Sequence, residues 1–168
     1  LLLKNKNLVV LSLLIYQGLK TGEITGLSLK DIDLEQGTIY IKQGRKTNAR
    51  TLKLQAKQVF WLMNYLTNDR SKLLKSTSDN LVISNRGTAE TGEGVSYLIA
   101  TFKCLFPNRK LNPLTVRQSV ITNLLKQGKD LRLVQVFAGH KYPSTTERYK
   151  QTQVEELKNE VMKYHPMQ

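Results

Sequence analysis

Acidic residues are scarce in this chain: 13 Asp and Glu stand against 26 Lys and Arg over 168 residues, for a formal net charge of +13. A surplus of that size on one short chain points to a polyanionic partner. The only cysteine, Cys104, rules out an internal disulfide framework, and a reducing cytoplasm is the simplest compartment. Cys104 lies in the apolar run 99–106, where a buried, inert thiol is expected. No His, Cys, Asp and Glu residues cluster at metal-ligand spacing, no glycine-rich loop has the Walker form, and the two histidines, His140 and His165, complete no Ser/His/Asp set. No apolar run approaches the ~20 residues that span a bilayer. The opening Leu1-Leu2-Leu3-Lys4 lacks the layout of a signal peptide, and so abrupt a start suggests that a further N-terminal segment belongs to the protein. Internal repeats and low-complexity segments are missing as well.

What is present suffices for a packed domain, since 40% of the residues are hydrophobic. Leu8, Leu11, Ile15 and Leu19 recur at helical spacing, and Gly18 and Gly22 mark the end of that helix. A short helix over 23–27 and a turn at Asp31-Ile32-Asp33 follow. Thr38–Ile41 and Arg50–Leu54 read as two antiparallel strands around a polar, basic hairpin loop, Gln43–Ala49. Residues 57–66 form an amphipathic helix whose Phe60, Trp61, Met63 and Tyr65 are expected in core or interface packing. A polar loop at 71–79, a short strand at 81–84 and a flexible connection at 86–94 come next. Helices are predicted over 95–106, 115–127 and 131–138, and an amphipathic stretch covers Val154–Tyr164. The fold class is therefore mainly α with a small antiparallel β-sheet (α+β), with one domain over 1–150 and a helical tail over 151–168.

The charge is uneven. Residues 36–68 and 94–129 contain no acid, yet hold Lys42, Arg45, Lys46, Arg50, Lys53 and Lys57, and Lys103, Arg109, Lys110, Arg117, Lys126 and Lys129. Such stretches suit phosphate contacts. Four segments carry chemistry: 18–24 (GLKTGEI), 44–50 (GRKTNAR), 111–117 (LNPLTVR), and 139–149, which runs from Gly139-His140-Lys141 to Thr145-Thr146-Glu147-Arg148-Tyr149. Scattered cations, one histidine and one tyrosine suit covalent phosphoryl transfer. A phenol attacks phosphorus, guanidinium groups stabilise charge on the transition state, and a lysine protonates the leaving oxygen.

Together these segments resemble the tyrosine recombinases, the family of phage integrases and chromosome dimer resolvases. The likeness runs from about Leu8 to Tyr149. Its most specific part is Ala138-Gly139-His140 followed by Thr145-Thr146 and Tyr149, which is similar to the family's LGH…TT..Y signature; 18–23 resembles the family's GLR..E box. The resemblance implies a catalytic domain that cleaves and rejoins duplex DNA through a 3′-phosphotyrosyl link, without metal or nucleotide cofactor. Tyr149 matches the nucleophile, Arg117 the second arginine of the family's pair, and His140 a histidine that hydrogen-bonds the scissile phosphate. Lys46 falls where the general-acid lysine is kept, although counting back from Arg50 places Arg45 there instead. Lys42, Arg45, Arg50, Lys141 and Arg148 are the expected DNA contacts.

Two positions depart from the pattern. The first arginine falls on Lys20, which keeps the charge but loses the planar fork. The histidine or lysine of the H..R box falls on Leu114, which donates nothing. A catalytically impaired member acting as a DNA-binding or accessory module is therefore an alternative. A relaxing topoisomerase of the same chemistry and an unrelated helix-turn-helix regulator are further ones, but the regulator leaves the hairpin and Tyr149 segments unexplained. The family likeness also implies other recombinase protomers as partners, in a tetramer on DNA, with the tail exchanged between protomers. It implies no membrane, and a place in the cytoplasm at the bacterial nucleoid.

Overall fold

Apolar residues occupy almost every side of the first helix, so it forms the centre of the domain rather than an outer layer. In the computed structural model, which describes residues 3–150, α1 spans Leu3–Tyr16 and buries Val9, Val10, Leu13 and Leu14 completely or nearly so. It starts earlier than the leucine spacing predicts and stops before Gly18, whose φ of +58° carries the chain out of the helix. Leu19, expected inside the helix, follows this turn and is fully buried, its N–H donating to the Leu13 carbonyl at 3.3 Å. The short helix α2 (Thr21–Thr25) comes next, beginning two residues before the predicted start.

The predicted Asp31–Asp33 turn holds instead a 3-10 turn (Leu29–Asp31) and a two-residue strand, β1 (Ile32–Asp33). It pairs antiparallel with β2 (Thr38–Ile41), which pairs antiparallel with β3 (Arg50–Lys53), giving a three-stranded sheet in the order β1-β2-β3. The register sets Ile39 opposite Leu52 and Ile41 opposite Arg50. Because side chains alternate across a strand, Arg50 shares the inward face with Leu52 while Thr51 and Lys53 face out.

The helix α3 spans Ala56–Asn64 and continues through a π-helical turn (Tyr65–Arg70) into the one-turn α4 (Ser71–Leu73), so part of the predicted loop is helical. Of its aromatic and sulfur side chains, Tyr65 is fully buried and Trp61 packs on the core, whereas Phe60 and Met63 are exposed. Segment 81–83 is not a regular strand. Leu81, Val82 and Ile83 are all buried, and they are held by isolated bridges and by the Tyr65 hydroxyl, which accepts from the Ile83 N–H at 3.0 Å. Thr91 caps α5 (Gly92–Ala100), so two of the three glycines of the expected flexible connection, Gly92 and Gly94, lie within a helix. Past its end a 3-10 turn (Lys103–Leu105) sits on the surface, and Cys104 is exposed, not buried as the apolar run suggested.

Clear terminal signals frame the last helices. Asn112 caps α6 (Pro113–Lys126) in a reciprocal box with Thr115, with proline in the first turn. Asp130 caps α7 (Leu131–Ala138), and Gly139 ends it at φ +68°. Residues 143–150 form a further helix. The main core joins α1, α2, the sheet, α3, segment 81–83 and α5. A smaller cluster, Ile121, Val134 and Ala138, lies between α6 and α7, and Tyr149 packs against it. No helix among the described residues is long and apolar enough to cross a membrane. The predicted tail, 151–168 with its stretch Val154–Tyr164, lies outside the described residues.

Candidate active site

Four carriers of the predicted chemistry converge where the two clusters meet. Lys20 precedes α2, and its N–H donates to Glu23 Oε2 at 2.9 Å. Glu23 accepts a bidentate pair from Arg50, with Nη1 to Oε1 at 2.9 Å and Nη2 to Oε2 at 3.0 Å. Both side chains are buried, at 3% and 8% exposure. Arg117, 2% exposed, extends from α6. It donates from Nη1 to the Gly18 carbonyl at 2.5 Å, and from Nη2 to the Ala138 carbonyl at 2.8 Å and toward His140 Nε2 at 3.1 Å. Its Nη1 also stands 3.9 Å from Glu23 Oε2.

His140 is buried just after the α7 terminus, with Nδ1 2.8 Å from the Thr146 hydroxyl. Tyr149 lies parallel to its ring, with centroids 6.0 Å apart and planes 7° from coplanar. The phenol is within electrostatic reach of the Arg117 guanidinium. The hairpin loop is tied to the same place, because Asn48 N–H donates to the Gly139 carbonyl at 2.9 Å and Thr47 pairs with His140. Gly44 and Thr47 close a tight turn, so Arg45 and Lys46 occupy its exposed tip. Gly139 has no room for a side chain, since a Cβ there would fall 2.4 Å from Arg50 Nη1.

The electrostatics follow from this crowding. Lys20, Arg50 and Arg117 surround a single carboxylate. Burial, then the Arg117 charge, lower the Lys20 pKa, and Lys46 adds to the effect. Burial pushes the Glu23 carboxyl up, but the Arg50 hydrogen bonds and charge outweigh it and hold it below the usual carboxylate range. Burial, then Arg117 and Lys20, bring His140 down to about 4, so its imidazole is neutral at pH 7. The uncompensated positive charge makes the pocket a receptor for an oxyanion. Among the described residues, no group of His, Cys, Asp and Glu is placed to hold a metal ion.

The structure thus brings Lys20, Arg117, His140 and Tyr149 together and sets Lys46 at the rim. Arg50, expected to contact DNA, instead faces inward: its guanidinium is committed to Glu23, because the β3 alternation points it into the domain. Lys42, another expected DNA contact, pairs with Asp31 at 3.0 Å while remaining 58% exposed. Arg45, Lys141 and Arg148 are exposed. Leu114 projects into solvent at 60% exposure in the first turn of α6. Two site residues stood in the quoted motifs without a role: Glu23, the acid of the GLR..E box, whose spacing of three from Lys20 is also a capping-box signal, and Thr146, which lies within the TT..Y segment.

The fold and this site define a mainly helical domain with a cationic pocket closed by a tyrosine. The chain belongs to the phage integrase family, whose pattern matches residues 3–156. It is 34% identical over 152 residues to the tyrosine recombinase XerD of Proteus mirabilis, covering 89% of this chain and 48% of that protein. It is 32% identical over 162 residues to the tyrosine recombinase XerC of Listeria innocua, covering 94% and 53%. The chain therefore spans about half the length of these curated relatives. Among solved structures it is similar to the XerH site-specific recombinase bound to a palindromic difH substrate in a post-cleavage complex, with a TM-score of 0.79, 25% identity, and 95% of this chain and 46% of that one covered. The XerA recombinase superposes with a TM-score of 0.77 at 25% identity, covering 98% and 60%.

Proposed function

We propose that the chain is the catalytic domain of a site-specific DNA recombinase or integrase that cleaves and rejoins strands through a 3′-phosphotyrosyl intermediate. The observation that carries this reading is the convergence of Tyr149, Arg117, Lys20 and neutral His140 at one pocket with surplus positive charge. The Tyr149 hydroxyl oxygen, giving up its proton to solvent, attacks phosphorus as the bond to the 5′ oxygen breaks. Lys46 supplies a proton to that oxygen, and Arg117 and Lys20 hold the non-bridging oxygens. In the second half, the 5′-hydroxyl of a partner strand returns its proton to Lys46 and attacks the phosphotyrosine, and Tyr149 leaves and regains a proton from solvent. Lys46 takes the general-acid role rather than Arg45 because an ammonium gives up a proton far more readily than a guanidinium.

Duplex DNA is the substrate, and the exposed Arg45, Lys141 and Arg148 contact its backbone outside the pocket. Other recombinase protomers are partners, assembling as a tetramer on DNA, and the segment 151–168 passes between them. The apolar stripe Val154, Leu157, Val161 and Tyr164 in that segment supports this assignment. The setting is the cytoplasm, at the bacterial nucleoid. A nicked suicide substrate carrying the target site tests the reading. The parent chain accumulates a covalent adduct, whereas Tyr149→Phe forms none and still binds DNA within a few-fold, since affinity rests on phosphate contacts. An adduct in the Phe variant would transfer the nucleophile to another residue.

A further inference from the structure

Thr146 is fully buried on the helix that carries Tyr149, three residues before it and so on the same side. Its hydroxyl is 2.8 Å from His140 Nδ1, while the other ring nitrogen, Nε2, is 3.1 Å from Arg117 Nη2. A guanidinium has no acceptor. Nε2 must therefore offer a lone pair to Arg117, and the ring proton of the neutral imidazole must sit on Nδ1, where the Thr146 oxygen accepts it. Two hydrogen bonds at opposite corners fix the ring plane, and the Tyr149 ring lies 7° from it. The backbone adds to the clamp: His140 N–H donates to the Gln135 carbonyl at 3.0 Å, and Gln135 Nε2 donates to the His140 carbonyl at 3.1 Å.

We infer that Thr146 is a positioning residue: it holds His140 as the Nδ1–H tautomer with Nε2 turned to Arg117, and through the ring plane it holds the nucleophile Tyr149. A neutral histidine side chain in water prefers the opposite tautomer, with the proton on Nε2. Without the Thr146 oxygen, that form competes and sets an Nε2–H against the Arg117 donors. Outer partners that fix a histidine tautomer at metal sites typically matter by 10–100-fold, and a loss of about that size in the rate of adduct formation is expected here.

The test uses the full chain with 15N-labelled histidine rings. The substitution His165→Gln leaves His140 as the only histidine in the spectrum. The parent and Thr146→Ser, which keeps the hydroxyl, are expected to show a protonated Nδ1 and a bare Nε2. Thr146→Val, which keeps the shape and loses the hydroxyl, is expected to shift toward Nε2–H, to form adduct about 10–100-fold more slowly, and to bind DNA as the parent does. An Nε2–H tautomer in the parent overturns the inference by itself, even if the Val variant does not fold. A folded Val variant with an unchanged tautomer overturns it too. The rate readout rests on the strand-transfer reading, but the tautomer does not. A shifted tautomer in a chain whose parent forms no adduct would count against that reading alone.

Discussion

Replacing Glu23 by Gln removes the one carboxylate from a pocket of three cations while changing the side-chain volume very little. Arg50 would then keep a bidentate geometry with only one acceptor, because the amide nitrogen faces one of its N–H groups as a second donor. Among the described residues Arg50 Nε is already buried without a hydrogen-bond partner, so the substitution would leave the guanidinium with a second unsatisfied donor. Breaking a buried ion pair by removing one partner costs about 3–5 kcal/mol. The low exposures of both side chains, 3% and 8%, place this pair in that class rather than among surface pairs. For a domain of this size such a loss lowers Tm by roughly 6–20 °C. The same change raises the positive charge of the pocket, so DNA binding by whatever fraction remains folded should be unchanged or tighter. Urea and thermal unfolding, with DNA titration below the midpoint, measure both effects. A loss under about 1 kcal/mol would place the pair among solvent-screened contacts and refute the claim that Glu23 organises the site.

Restoring the departures from the family pattern tests whether they limit the rate: the double change Lys20→Arg, Leu114→His is expected to speed adduct formation on the suicide substrate by about 10-fold or more. A folded double variant with no gain would show that chemistry is limited elsewhere. Stability should depend on pH through His140, whose folded pKa of about 4 lies below the unfolded value of 6.5. The unfolded chain then binds the proton first. Stability is full above about pH 6.5 and falls as the pH drops toward 4, by about 2 kcal/mol between pH 7.5 and pH 5. Urea midpoints read this slope, and His140→Gln should flatten it. An equal slope in that variant would assign it to other groups.

The helices that frame the site were legible because their ends carry chemistry. Asn112-Pro113, Asp130 and Gly139 are start and stop signals that act locally, and α6 and α7 begin and end within two residues of the predicted spans 115–127 and 131–138. The π-helical turn after Asn64 was legible only in part: the amphipathic spacing carries the helix to 66, whereas 67–70 is polar and shows no such spacing, and packing of Tyr65 and Arg70 keeps the chain wound. Arg50 shows the same limit within the site. The alternation of β3 already put it on the face of Leu52, yet charge argued for solvent, and only the position of Glu23 decides between them. Cys104 failed in the opposite direction. An apolar run implies burial only if a partner surface exists, and the described residues offer the turn at 103–105 none, leaving Leu105 68% exposed among them.

Arg117 stands apart from the other cations because its donors are largely spent inside the protein. Of five N–H groups, one goes to Gly18, at the edge of the main core, and two go to Ala138 and His140, at the edge of the smaller cluster that carries Tyr149. The guanidinium is thus the fastener between two packing units, and at most two of its donors remain for a phosphate. Lys20 is the converse. Burial and, after it, the Arg117 charge disfavour its protonated form, and an arriving anion would support that charge. A phosphate would therefore be gripped by one rigid donor already built into the fold and one adaptable donor that gains most when the anion binds. On the function proposed above, substitutions at Arg117 are expected to mix folding with chemistry, whereas those at Lys20 are expected to act more on chemistry.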